Sequence, residues 1–196
     1  MRLPTILCIT ALFYLACQSS TSENSSDPQE TKSEYRIAYN VYVPDSLNDD
    51  NYEIFTMQMD GSDKKNITNH PDVAWTYLAH GIKIFFISDR DTAGRVMQLY
   101  QMDYKGDNIR QITDFRLTDS WMGSRNDGQE LIICPHQSVD SVLYLIDLDG
   151  NILEKLETET PYASDPSFSP DGQKIAFVGK TKRSKRDPDF NAEIYV

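Results

Sequence analysis

Cysteine is scarce in this chain. There are three, Cys8, Cys17 and Cys134. Cys8 lies inside the leading apolar segment and Cys17 at its end, so Cys134 stands alone in the rest and no internal disulfide can form there. The apolar run Leu131-Ile132-Ile133-Cys134 marks it as a buried, inert thiol. Basic residues are also few: 19 Lys and Arg stand against 30 Asp and Glu, a net charge of −11. Removing the leading segment that carries Arg2 makes it −12. Such a surface repels phosphates and argues against generic nucleic-acid binding. Serines are plentiful, but there is no Gly-x-Ser-x-Gly elbow and no α/β pattern to follow one. The histidines are His70, His80 and His136, and nothing in their spacing forces ligands to converge on a metal. The leading apolar run, residues 3–16, is too short to span a bilayer comfortably.

That run and the single charge before it give residues 1–16 the form of a secretory signal. Tyr14-Leu15-Ala16-Cys17 resembles a bacterial lipoprotein cleavage box, with Tyr14 where an aliphatic residue is usual. The resemblance implies that Cys17 is lipidated and anchors the chain without a spanning helix. Residues 18–34 are rich in Ser, Thr, Glu and Asp, with no apolar residue beyond Pro28. They cannot bury enough surface to offset ordering entropy, so residues 17–34 read as a lipid-bearing cysteine and flexible tether.

The remainder, 35–196, repeats. Glu53-Ile54-Phe55-Thr56-Met57-Gln58-Met59-Asp60-Gly61 aligns with Gln98-Leu99-Tyr100-Gln101-Met102-Asp103-Tyr104-Lys105-Gly106. Both align with Val142-Leu143-Tyr144-Leu145-Ile146-Asp147-Leu148-Asp149-Gly150. After each glycine come a polar turn and a second strand: Lys65-Asn66-Ile67-Thr68, Arg110-Gln111-Ile112-Thr113 and Lys155-Leu156-Glu157. Glu193-Ile194-Tyr195-Val196 starts the unit a fourth time. Gly81, Gly128 and Gly172 precede a further repeated strand, of which Arg36-Ile37-Ala38-Tyr39 is an earlier copy. Each repeat supplies about four short strands over roughly 40–45 residues, the content of one propeller blade.

The stretch Asp165-Pro166-Ser167-Phe168-Ser169-Pro170-Asp171-Gly172-Gln173-Lys174-Ile175-Ala176-Phe177 resembles the TolB-type β-propeller repeat. The resemblance covers nearly all of the chain after the tether. It implies an all-β propeller: about three full four-stranded blades plus incomplete terminal blades, open or truncated where such propellers typically have six or more. Trp75 and Trp121 lack the Ser-Pro-Asp-Gly spacing before Gly81 and Gly128, so longer hairpins are expected there. Trp75, Tyr77, Trp121, Phe168 and Phe177 are expected to be inter-blade core, since neighbouring blades alone can cover a blade's faces.

Fold does not settle function. Asp147-Leu148-Asp149-Gly150 is explained as a hairpin turn rather than a calcium loop. Asn48-Asp49-Asp50-Asn51 is a polar insertion between strands, and the basic run Lys180 to Arg186 is a solvated loop. No catalytic residue, metal or cofactor is expected. His70, Asp72 and His80 form the candidate ligand face, with His70 and His80 at opposite ends of the Trp75 strand. The resemblance implies a lipid-anchored, non-enzymatic module of the bacterial envelope, on the periplasmic side or cell surface, holding a protein or peptide partner. Self-association through open blade edges is a further expectation. The alternatives are the propeller of a carbohydrate-active lyase or of a peptidase, and a gene fragment without function.

Overall fold

The computed structural model describes residues 35–44, 51–182 and 184–196. All of them lie in the unit Ser33–Val196. The signal, Cys17, the tether, Asn48-Asp49-Asp50 and Arg183 lie outside the described residues.

The described residues form strands and no helix. Blade 1 holds β1 (Arg36–Tyr42), β2 (Tyr52–Gln58) and β3 (Lys65–Asn66). Blade 2 holds β4 (Ala74–His80), β5 (Lys83–Ser88), β6 (Gln98–Asp103) and β7 (Arg110–Gln111). Blade 3 holds β8 (Gly123–Arg125), β9 (Glu130–Ile133), β10 (Leu143–Asp147) and β11 (Ile152–Leu156). Blade 4 holds β12 (Tyr162–Phe168), β13 (Ile175–Lys180) and β14 (Ala192–Tyr195). All pairings are antiparallel between sequence neighbours. Two four-stranded sheets thus stand between two three-stranded ones. Among the described residues no strand stands at the position of β4 in blade 1, nor at the position of β7 in blade 4.

The repeated glycines sit at one backbone position. Gly61, Gly106 and Gly150 have φ of 81°, 88° and 83°. Each donates its N–H to the residue three places back, Gln58, Asp103 or Asp147. A positive φ closes such a turn at no steric cost only for glycine. In the second and third copies the first turn residue is Asp103 or Asp147, whose carboxylate accepts further turn amides. The Ile-Thr pair after the turn also has a physical role. Ile67 and Ile112 are buried, and the hydroxyls of Thr68 and Thr113 accept the Ile54 and Leu99 N–H groups at 2.9 and 3.0 Å.

Stacking supplies the core. Ile84, Phe86, Tyr100 and Met102 of blade 2 meet Ile54 and Ile67 of blade 1. The opposite face of blade 2, with Phe85, Ile87 and Leu99, meets Leu131, Ile133, Tyr144 and Ile146 of blade 3. Ile132, Cys134 and Leu143 of blade 3 meet Ala163, Ile175 and Phe177 of blade 4. Each large side chain hidden in these joints contributes about 1.5–3 kcal/mol. Backbones approach closely as well. A Cβ on Gly106 would collide with the Ile67 carbonyl, and one on Gly150 with the Ile112 carbonyl, each across a joint. Gly61 has no blade before it among the described residues, and open space where its Cβ would be.

Two expectations need correction. Trp121 is not core: it is 60% exposed, and its neighbour Met122 is buried instead. The strand pairings put Trp75 level with Ser164, and Phe168 level with Ala79 and Ser124, so the aromatics before the turns are not equivalent positions. The hairpin after Trp75 is not longer but shorter. His80 pairs with Lys83 across Gly81-Ile82, because β4 absorbs the intervening residues as a bulge at Tyr77. Trp75, Tyr77, Phe168 and Phe177 do pack, partly buried, against the joints.

Replacing Gly61 by Ala is expected to cost about 1 kcal/mol, the left-handed backbone alone. Gly106→Ala and Gly150→Ala are expected to cost about 3 kcal/mol, because a blade must also shift. Denaturant unfolding of the three variants measures the difference; equal losses would contradict the joint geometry.

Candidate functional site

The inner strands β4, β8 and β12 lie next to one another and present their free backbone edges. Side chains bridge these edges between blades. Asn40 donates to the Thr76 carbonyl at 3.2 Å and accepts its N–H at 2.9 Å. The Tyr77 hydroxyl donates to Asp119 across the next joint. Asp165 donates its N–H to Ser120 Oγ at 2.8 Å, and its carboxylate accepts from Ser120 Oγ, the Trp121 N–H and Ser164 Oγ. Asp165 has φ of 56°, a conformation costing on the order of 1–3 kcal/mol that these bonds offset.

A groove of about 300 Å³ opens along this row. It is lined by Tyr39 and Asn40 of β1, Thr76 to Ala79 of β4, and Trp121. The Trp121 ring meets Tyr77 edge-on at 5.5 Å. Burial, then the hydrogen bond to Asp119, pushes the Tyr77 phenol far above its ordinary pKa, so it stays a neutral donor. The groove therefore offers an exposed indole, a neutral phenol and two nearby carboxylates, Asp119 and Asp165.

The three predicted ligand-face residues divide between the ends of β4. His70 and Asp72 precede β4 and pair at 3.0 Å, with the His70 N–H donated to the buried Glu53 carboxylate at 3.0 Å. Thr68 donates its hydroxyl to the same carboxylate. His80 ends β4 and meets Asp127 of blade 3 at 3.1 Å. That end forms a cleft of about 410 Å³ among the inner hairpins, with Arg125, Asp171 and Gly172. A Cβ on Gly128 would strike the His80 ring, so the two hairpins interlock. His136 lies beyond β9 at the His70 end and bonds Ser138. Among the described residues no group of three or more His, Cys, Asp or Glu side chains is placed to hold a metal. Cys134 is buried and donates to the Ala163 carbonyl at 3.3 Å; burial raises its pKa, which keeps it a thiol.

The sequence-based reading did not single out Glu53, Asp119, Asp127 or Asp165. The neighbourhood of Asp165 carried a signal, since a proline inside a strand, here Pro166, marks an edge or a bulge. Asp119 and Asp127 carried none, because their partners sit in another repeat.

A second charged cluster sits at the His70 end of blade 3. Lys155 donates to Asp140 at 2.9 Å and Tyr144 donates to the same carboxylate at 2.7 Å. The Lys155 bond, then the Tyr144 bond, pulls the Asp140 pKa down to about 2. A lowered carboxylate pKa contributes stability that is present above the unfolded value, about 3.9, and is lost as pH falls through the folded value. Because Lys155 is half-exposed, the contribution is under about 1 kcal/mol.

No family model matches the chain. It is 28% identical over 127 residues to a curated Protein TolB homolog of Chlorobium chlorochromatii (strain CaD3). The match covers 64% of this chain and 28% of that protein. The solved oligogalacturonate lyase of Vibrio parahaemolyticus superposes over 81% of this chain and 45% of its own, at TM-score 0.52 and 16% identity. TolB from Acinetobacter baumannii gives 81% and 49%, TM-score 0.45 and 16% identity. The chain thus spans under a third of that curated relative and about half of each solved structure.

Asp140→Asn is expected to lower the melting temperature at pH 7, with the gap to the unaltered chain closing as pH falls from 5 toward 2. A gap independent of pH would contradict the assignment. In sequence the chain is TolB-like, and its described residues form an open array of β-propeller blades.

Proposed function

We propose that this chain is a lipid-anchored, non-enzymatic propeller module of a bacterial envelope that holds a protein or peptide partner in its inner-strand groove. The observation that carries the reading is Trp121, 60% exposed just before β8 and edge-on to Tyr77 of β4. Exposed Trp and Tyr over an apolar groove are the residues on which protein interfaces concentrate binding energy. Asp119 and Asp165, with the net charge of −11, favour a partner segment that carries basic side chains. Similarity to the TolB homolog supports the interaction role in general terms. The anchor is Cys17, and the tether of residues 17–34 lets the groove stand away from the membrane. The lyase alternative would need His70, Asp72 and His80 to act in one site, whereas His80 ends the strand that Asp72 precedes.

Cys17→Ser is expected to abolish incorporation of labelled palmitate and to release the protein from the membrane pellet; retained label would refute the anchor. A photo-crosslinking residue at position 121 is expected to give discrete adducts with an envelope protein in intact cells. Trp121→Ala should then weaken binding of the purified partner by about 2 kcal/mol, roughly thirtyfold, at unchanged melting temperature. Unaltered affinity would place the partner elsewhere.

A further inference from the structure

The connection between β13 and β14 departs from its counterparts in charge. Residues 43–51, between β1 and β2, hold three acids and no base, and residues 89–97, between β5 and β6, hold two of each. Residues 134–142, between β9 and β10, hold one acid and neither Lys nor Arg. The run that ends β13 and opens its connection holds five bases and no acid: Lys180, Lys182, Arg183, Lys185 and Arg186. With these five of the 19 bases gathered here, the fourteen elsewhere face all 30 acids. Three blades close without such a run, so the blade fold does not account for it.

The loop also projects as a unit of its own. Thr181 donates its N–H to the Asn191 carbonyl at 3.0 Å, and Asn191 donates its N–H to Thr181 Oγ at 2.8 Å. Beyond that neck, Asp187 and Phe190 donate their N–H groups to the Ser184 and Asp187 carbonyls. Among the described residues the hydrogen bonds of the loop stay within residues 181–193. Lys182, Lys185 and Arg186 form no ion pair there. Lys185 and Arg186 are exposed. That exposure belongs to the position in the blade. Blades 2 and 3 each have a blade on both sides, yet the tips of their matching connections are exposed, at Ala93 and Gly94 and at Ser138 and Val139.

Clustered cations on a projecting tip, with only Asp187 and Asp189 close in sequence to offset them, suit a broad layer of negative charge. The rest of the surface is acidic and is repelled by such a layer, which fixes where contact is made. We infer that the loop of residues 180–186 docks on anionic lipid headgroups and lays the His70 end of the array against the bilayer. The inference rests on the anchored reading for bringing a bilayer near. Extended, residues 17–34 span about 60 Å, against about 23 Å for a seven-residue strand, so either end can turn to the membrane.

An environment-sensitive fluorescent amino acid at position 184, in the full chain purified from membranes, tests the contact. With the chain reconstituted in phosphatidylcholine vesicles, the probe is expected to stay in water. Adding phosphatidylglycerol to the bilayer should raise the docked fraction at least tenfold, and salt of about 1 M, where the Debye length is about 3 Å, should reverse it. Lys182→Glu with Lys185→Glu should return the signal to its neutral-lipid value at unchanged melting temperature. Lys185→Glu with Arg186→Glu replaces that pair if it fails to fold. A chain that does not enter neutral vesicles refutes the anchor; the loop must then still dock on phosphatidylglycerol vesicles added in solution. No change on anionic lipid overturns the inference. So does an equal change on neutral lipid, a signal indifferent to salt and to the charge reversals, or a response to soluble polyglutamate that anionic vesicles do not produce.

Discussion

A short antiparallel sheet with apolar side chains on both faces has no stable existence in water, and this requirement governs the whole chain. Phe85 and Phe86 are adjacent in β5, point to opposite faces, and are both fully buried. Only a neighbour on each side can achieve that. Other features follow from it. Gly106 and Gly150 let the turn of one blade press on the carbonyl of the Ile in the blade before. That Ile sits beside a Thr whose hydroxyl closes the strand ladder where the outer strand ends. The joint is thus made of side-chain burial in the middle and backbone contact at the outer turn.

The same arrangement explains where chemistry is available. Faces are consumed by stacking, so the surfaces left for a partner are strand edges and connecting loops. Inner strands have one edge unpaired, and the chain fills it with side chains from neighbouring blades, Asn40 on Thr76 and Asp165 on Trp121. The polar bridges hold the edges in place while Trp121 and Tyr39 remain accessible above them. Position and exposure of that row depend on the angle between blades, and hence on the apolar joints beneath.

Much of this architecture was legible in the sequence. The spacing of Gly61, Gly106 and Gly150 gave the period, and the strands between them gave an all-β blade. The reading was less secure within the inner strands. There a bulge at Tyr77 and another beside Asp165 shift the register, so distance from the following glycine no longer reports which face a residue takes. Trp121 is expected in the core as one of the aromatics that precede the turns, yet the residue that reaches the core there is Met122. The candidate site was legible in smaller part. The placement of His70 and His80 at opposite ends of a strand follows from sequence separation. The pairings Tyr77 with Asp119 and His80 with Asp127 do not, since they join residues more than forty positions apart.

If burial across joints is what holds the blades, the blades have no separate stability. Native-state hydrogen exchange measures this residue by residue. The amides of Phe85, Ile87, Leu131 and Ile133, which lie on two different sheets of one joint, should open with a single free energy equal to that of global unfolding. Distinct opening free energies for β5 and β9, each insensitive to substitutions in the other blade, would contradict the account.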